Sequence, residues 1–207
     1  DPERAAGDFF GFSVSIYGDV AIVGAVNADP GGLSHAGKAY IFRYNETNWV
    51  QEKILTASDK VAGDFFGYSV SIYGNVAIVG ARYADPGGVS NAGKAYIFRY
   101  NGSNWVEEAI LTASDKAADD YFGYSVSIYD NVAIVGASYA DPGGLSLAGK
   151  AYIFRYNGSN WVEEAILTAS DKAANDYFGW SVSIYGNVAI VGAWYADPGG
   201  LSNAGKA

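Results

Sequence analysis

The residues best suited to chemistry recur at fixed intervals. Gly32–Lys38, Gly88–Lys94, Gly144–Lys150 and Gly200–Lys206 each fit G-x-x-x-x-G-K, the opening of a phosphate-binding loop. That mechanism needs a following Ser or Thr for Mg²⁺ and a helix whose N-terminus meets the phosphates. Ala95 follows Lys94 instead, with a strand pattern behind it, so the glycines are read as loop punctuation. His35, beside Ser34, has neither an orienting acid nor an oxyanion hole in prospect and is a loop substitution. Glu107 and Glu108 are neighbours on a strand and point to opposite faces, which rules out an acid/base pair. Asp29, Asp85, Asp141 and Asp197 precede Pro-Gly-Gly and shape a turn. Asp64, Asp120 and Asp176 are expected to form an acidic ring around a rim, a weak cation site at most and one that repetition alone would produce. With no Cys there is no thiolate ligand or cysteine nucleophile. The expectation is a protein with no catalytic residue, no metal site and no cofactor.

What positions these residues is a repeat. Phe10-Gly11 returns as Phe66-Gly67, Phe122-Gly123 and Phe178-Gly179, 56 residues apart each time. The units are 10–65, 66–121, 122–177 and an incomplete 178–207 within a single region, 1–207. In the second unit, Tyr68–Tyr73 alternates with period two, Gly74-Asn75 is a tight turn, and Val76–Ala81 is an apolar run short enough for a strand buried on both faces. Asp85-Pro86-Gly87-Gly88 breaks the chain. Ala95–Tyr100 is a third strand, Asn101-Gly102 offers the positive φ values of a hairpin turn, and Trp105–Leu111 is a fourth strand, its adjacent glutamates suiting an outer edge. Four antiparallel strands per unit without helices give an all-β fold, a β-propeller of four-stranded blades. Closed propellers take about 4–8 blades. The expectation is therefore that further blades, from a longer polypeptide or from other chains, complete the ring. The absence of Met, even at position 1, fits a processed chain or an excerpt.

Composition narrows the partners. A net charge of −9 argues against nucleic acid, whose phosphates need a basic patch, and against an anionic membrane surface. No apolar run approaches the ~20 residues that span a bilayer, so no membrane insertion is expected.

Phe66-Gly67-Tyr68-Ser69-Val70 followed by Val79-Gly80-Ala81 resembles the FG-GAP repeat of integrin α-subunits and of secreted bacterial and archaeal proteins. The resemblance covers all four units. It implies blades of a propeller, commonly seven, used in adhesion and ligand recognition outside the cell, and hence an extracellular or cell-surface location. Two departures stand out. The Pro that follows Gly-Ala in the family motif is here Val26, Arg82, Ser138 and Trp194. The calcium loop common between the first two strands of the family is replaced by two-residue turns, Gly18-Asp19, Gly74-Asn75, Asp130-Asn131 and Gly186-Asn187, too short for six to eight oxygen ligands. No calcium site is carried over.

The second and third units differ at five of 56 positions: Gly74/Asp130, Arg82/Ser138, Val89/Leu145, Asn91/Leu147 and Asp119/Asn175. In a four-stranded blade the strand 2–3 loop and the strand 4–1 connection share one face, and four of the five differences fall there. The opposite Tyr-Asn-Gly-Ser-Asn-Trp turn is identical in both units. The first face is therefore read as a recognition surface, with Val26, Asn27, His35, Arg82, Tyr83, Asn91, Ser138, Tyr139, Leu147, Trp194, Tyr195 and Asn203 as its candidate ligand-binding residues. Tyr83, Tyr139, Trp194 and Tyr195 would be the aromatic contacts enriched at binding surfaces. Asn45, Asn101 and Asn157 head N-glycosylation sequons at one repeat position, with a plain Asn-Gly hairpin turn as the simpler account. The leading expectation is an extracellular recognition or adhesion module for a protein or carbohydrate ligand, with a multivalent lectin as a subtype. The competing one is a structural building block of a larger surface protein or assembly, without a ligand of its own.

Overall fold

The computed structural model describes residues 5–207, so residues 1–4 of the expected region lie outside the described residues. Each unit is a four-stranded antiparallel meander. The first blade comprises β1 (Phe10–Tyr17), β2 (Val20–Ala25), β3 (Lys38–Tyr44) and β4 (Trp49–Leu55). The second holds β5 (Ser69–Tyr73), β6 (Val76–Ala81), β7 (Lys94–Tyr100) and β8 (Trp105–Leu111), and the third β9 (Ser125–Tyr129), β10 (Val132–Ala137), β11 (Lys150–Tyr156) and β12 (Trp161–Leu167). The fourth pairs β13 (Phe178–Tyr185) with β14 (Val188–Ala193). Successive blades stack through their first strands, β1 on β5, β5 on β9 and β9 on β13. This is the expected all-β propeller arrangement.

Strand limits follow local chemistry. The two-residue turn at Gly74-Asn75 sets Tyr73 opposite Val76, and the run Val76–Ala81 is buried throughout because blades cover both of its faces. The 3–4 turn departs from the expected pair of positive φ values: Gly102 alone has one (94°), while the Asn101 Oδ1 accepts the N–H groups of Ser103 and Asn104 at 3.0 and 2.9 Å. A register shift between Ile97 and Phe98 leaves Glu108 without a ladder partner. Glu107 then reaches back to Ser58 in the preceding connection, and Glu108 holds Arg99 and the indole N–H of Trp161 in the next blade. The glutamates thus join blades as well as lining the outer strand.

The core lies between blades. One cluster joins Val20, Ile22 and Ile41 of the first blade to Phe66, Val70, Ile72 and Tyr96 of the second, and the next joins Val76, Ile78 and Ile97 to Phe122, Val126, Ile128 and Tyr152. The repeated Phe-Gly and Gly-Ala dipeptides meet at this seam. Phe122 packs edge-on against Tyr152 and Phe154. Gly80 lies against the backbone of Gly123, whose carbonyl accepts the Ser69 hydroxyl at 2.8 Å. The motif's two halves belong to neighbouring blades, so its function in the fold is close approach of two backbones.

Candidate functional site

The strand 2–3 loop of one blade and the 4–1 connection entering the next are tied edge to edge. Gly63, Phe65 and Phe66 donate their N–H groups to the carbonyls of Ser34, His35 and Ala36, and Asp119, Tyr121 and Phe122 do the same to Ser90, Asn91 and Ala92. The two sets of loops therefore form one continuous face, as expected. Within each 2–3 loop the aspartate before Pro-Gly-Gly spans the turn: the Oδ1 atoms of Asp29, Asp85, Asp141 and Asp197 accept the N–H of His35, Asn91, Leu147 and Asn203 at 2.5–2.7 Å. Those four acceptor-bound residues all have φ between 50° and 55°. Asn tolerates this left-handed backbone, whereas Leu is strained in it by about 1–2 kcal/mol. Leu147→Asn is expected to raise stability by about 0.5–1 kcal/mol, read as a higher denaturant midpoint at unchanged slope.

A belt of aromatic rings crosses this face. Phe65, Tyr83, Tyr121, Tyr139, Tyr177 and Tyr195 follow one another at centroid separations of 4.8–5.7 Å, alternating between 4–1 connections and 2–3 loops. A second row, Phe12, Tyr68, Tyr124 and Trp180, runs beside it at 4.6–5.3 Å. Phe65, Tyr121 and Tyr177 hold left-handed backbones with φ of 55–57°, unusual for bulky residues. Arg82 lies between the rows, its guanidinium 4.0 Å from the Tyr68 ring centre, 4.5 Å from Tyr83, 5.1 Å from Tyr124 and 5.6 Å from Tyr121, and it donates to the Tyr83 hydroxyl at 2.9 Å. Burial drives the Tyr121, Tyr124 and Tyr139 phenols above their ordinary range, so they stand on the face as neutral donors and acceptors at neutral pH. Beside the belt, a crevice of about 440 Å³ is lined by Asp115, Asp119, Asp120, Tyr139, Asp141 and Lys150.

The other candidate residues separate by exposure. His35, Trp194, Tyr195 and Asn203 are exposed; Asn27, Arg82, Tyr83, Asn91, Tyr139 and Leu147 are half-buried. The His35 ring stacks on Phe65 at 5.5 Å and Trp194 on Trp180 at 4.5 Å. Val26 and Ser138 are buried, and the Ser138 hydroxyl lacks a hydrogen-bond partner in the structure, so neither side chain is presented on the face. Two of the five differences between the second and third units prove to be one interaction: the Asn91 amide donates to Asp119 at 2.8 Å, and Leu147 and Asn175 replace both partners together. That coupling belongs to the blade seam.

The acidic ring is corrected. Asp64, Asp120 and Asp176 are 4–7% exposed, and each accepts the N–H of the residue three before it at 2.8 Å. They close their own turns from inside; burial pushes Asp64 and Asp120 up, against the pull of those N–H bonds. Lys94 of the phosphate-loop pattern opens β7 and is bound by Asp59, 2.6 Å away, which also accepts the buried Tyr96 hydroxyl. Although burial opposes it, bonds from Lys94 and Tyr96 hold Asp59 below the usual carboxylate range. Among the described residues, no group of three or more His, Asp or Glu side chains is gathered as a metal site. Asn45, Asn101 and Asn157 are exposed at the 3–4 turns, on the face opposite the belt.

Sequence reasoning missed the aromatic residues contributed by the 4–1 connections, Phe65, Tyr121 and Tyr177, and those lying two residues after each Phe-Gly phenylalanine, Tyr68, Tyr124 and Trp180. Their recurrence next to Phe-Gly was the available signal.

A family model described as FG-GAP repeat matches residues 2–42, 49–98, 105–154 and 161–207. Its second to fourth matches open on Trp49, Trp105 and Trp161, the first residues of β4, β8 and β12. Among solved structures, a mutant of the Bombyx mori GH32 beta-fructofuranosidase BmSUC1 in complex with sucrose is similar at a TM-score of 0.41 and 13% identity, over 78% of this chain and 35% of that one. The chain thus spans about a third of that enzyme's length. No helix of the described residues is long and apolar enough to cross a membrane.

Proposed function

The chain belongs to the FG-GAP repeat family, and from that premise we propose that it is an extracellular or cell-surface recognition module, binding a protein or glycan partner through the 2–3 and 4–1 loop face. The observation that carries this is the aromatic belt, which runs unbroken across the blade boundaries on one face. Flat, rigid side chains lose little entropy on binding and offer both an apolar face and a polar tip. Left-handed backbones at three belt residues are strain of the kind that gathers at functional surfaces. The belt suits stacking against sugar rings or aromatic side chains, and Arg82 and the acidic crevice suit polar groups beside them. Binding, not catalysis, is the activity proposed.

The test probes wild-type protein and a Tyr83→Ala, Tyr139→Ala, Trp194→Ala, Tyr195→Ala variant against a printed oligosaccharide array and a panel of immobilised extracellular proteins. Far-UV circular dichroism confirms that the variant is folded. Binding by the wild type and its loss in the variant are expected. Equal binding by both sinks the proposed face, and retention of no probe by the wild type removes the recognition reading.

A structural role is favoured by a separate observation. Val14 and Ile16 on β1 and Val188 and Ile190 on β14 are 59–72% exposed, while the equivalent Val70, Ile72, Val76 and Ile78 are at most 8% exposed between blades. Such faces are made to be covered by further blades, from the same polypeptide or another. Comparison of native with denatured mass for the protein from its source decides whether separate chains supply them.

A further inference from the structure

On the face opposite the belt, the last residues of the four first strands form a ladder of their own. The rings of Tyr17 and Tyr73, Tyr73 and Tyr129, and Tyr129 and Tyr185 lie at centroid distances of 4.3, 4.4 and 4.7 Å. Each pair joins two blades and two positions 56 residues apart. The rings are tilted by 41–63°, and the neighbouring Tyr129 and Tyr17 phenols push the pKa of Tyr73 up. Tyr73 and Tyr129, with blades on both sides, are half-buried rather than sealed, so a soluble oxidant reaches the ladder. The belt tyrosines differ: Tyr121, Tyr139 and Tyr177 meet nearly edge to face, at 76–82°.

One-electron oxidation of a phenol gives a phenoxyl radical whose spin rests on oxygen and the ortho carbons. The proton that the oxidised phenol releases passes to the surrounding water. Two adjacent phenoxyls then form an ortho C–C bond, and each ring regains aromaticity by losing its ortho hydrogen to the phenolic oxygen. We infer that the Tyr17–Tyr73–Tyr129–Tyr185 ladder is a site of oxidative tyrosine cross-linking, which joins neighbouring blades covalently under a peroxidase-class oxidant. With hydrogen peroxide, two tyrosines give one dityrosine and two waters: the phenols lose two electrons and two protons, and the O–O bond takes them up. In a chain without Cys, this is a covalent staple of the kind that disulfides provide elsewhere. A link across some 56 residues restricts the unfolded chain as a long disulfide loop does.

The experiment treats dilute protein with a haem peroxidase and limiting hydrogen peroxide, then reads dityrosine fluorescence, intact mass and linked peptides. Expected is a monomeric product short of two hydrogens per link, with links between ladder positions and an unfolding midpoint above that of untreated protein. Tyr73→Phe keeps the ring and should leave only the Tyr129–Tyr185 link. The quadruple Tyr→Phe ladder variant, folded by circular dichroism, should lose the intramolecular product. The proposal is overturned by an undiminished product in the quadruple variant, by links formed only between molecules, or by absence of dityrosine in the wild type. A linked protein with an unchanged midpoint overturns the stapling role.

Discussion

Gly80→Ala is expected to destabilise the protein by about 3 kcal/mol or more, the upper range for overpacking a close-packed interior. In an extended strand, Ala is the better residue by roughly 0.5–1 kcal/mol, so local propensity works the other way. The loss arises between blades. A Cβ on Gly80 would fall inside 3.0 Å of the Gly123 carbonyl oxygen and of the Ser69 hydroxyl that donates to it. The hydroxyl can rotate away; the carbonyl is backbone and cannot, so the second and third blades must separate. For a chain of this size, the midpoint of thermal unfolding should fall by roughly 6–12 °C, measured by calorimetry. Gly192 is the internal control. It occupies the same repeat position, but a Cβ there closely approaches only the Ser181 hydroxyl. In these 207 residues alone, where no further blade lies against β14, Gly192→Ala should therefore be close to neutral, and equal losses at both sites would refute the seam explanation.

Removal of the motif's aromatic half should cost as much. Phe122→Ala is expected to destabilise by about 3–5 kcal/mol. Phe122 is fully buried, with its ring 5.3 Å from Tyr152 and 5.9 Å from Phe154, both contacts edge-on. Truncation empties the seam at its centre, where two sheets hold the walls apart. Phe10 has the same ring partners in its own blade, Tyr40 and Phe42, but is 37% exposed. In these 207 residues alone, with no blade before the first, Phe10→Ala should cost clearly less, because the apolar area withdrawn from water is smaller. Urea unfolding of both variants checks the order, and a Phe10→Ala loss as large as that of Phe122→Ala would show that the contacts within a blade dominate.

Much of this architecture was legible in the residues. The limits of β6 and β8 coincide with the apolar run Val76–Ala81 and the segment Trp105–Leu111, since turn chemistry and period-two alternation act over a few residues. Strand three begins one residue early, at Lys94, and strand one begins one residue late, at Ser69. Tyr68 stands just before its strand and donates its N–H to the Phe65 carbonyl in the connecting turn.

The candidate site was less legible, and Arg82, Ser138 and Asp64 show why. Alternation places a side chain on one face of its own sheet but does not say what the next blade sets against it. Arg82 reads as a variable loop residue; its guanidinium lies among Tyr68 and Tyr83 of its own blade and Tyr121 and Tyr124, some forty residues on. Ser138, at the same repeat position, is sealed over, and Asp64 faces inward to its own turn. The sequence by itself determined the unit, its four strands and its turns, because these rest on contacts between near neighbours in the chain. Only the tertiary structure decided which side chains form the belt, the seam and the tyrosine ladder, because those contacts join residues far apart in the chain, across loops and blade boundaries.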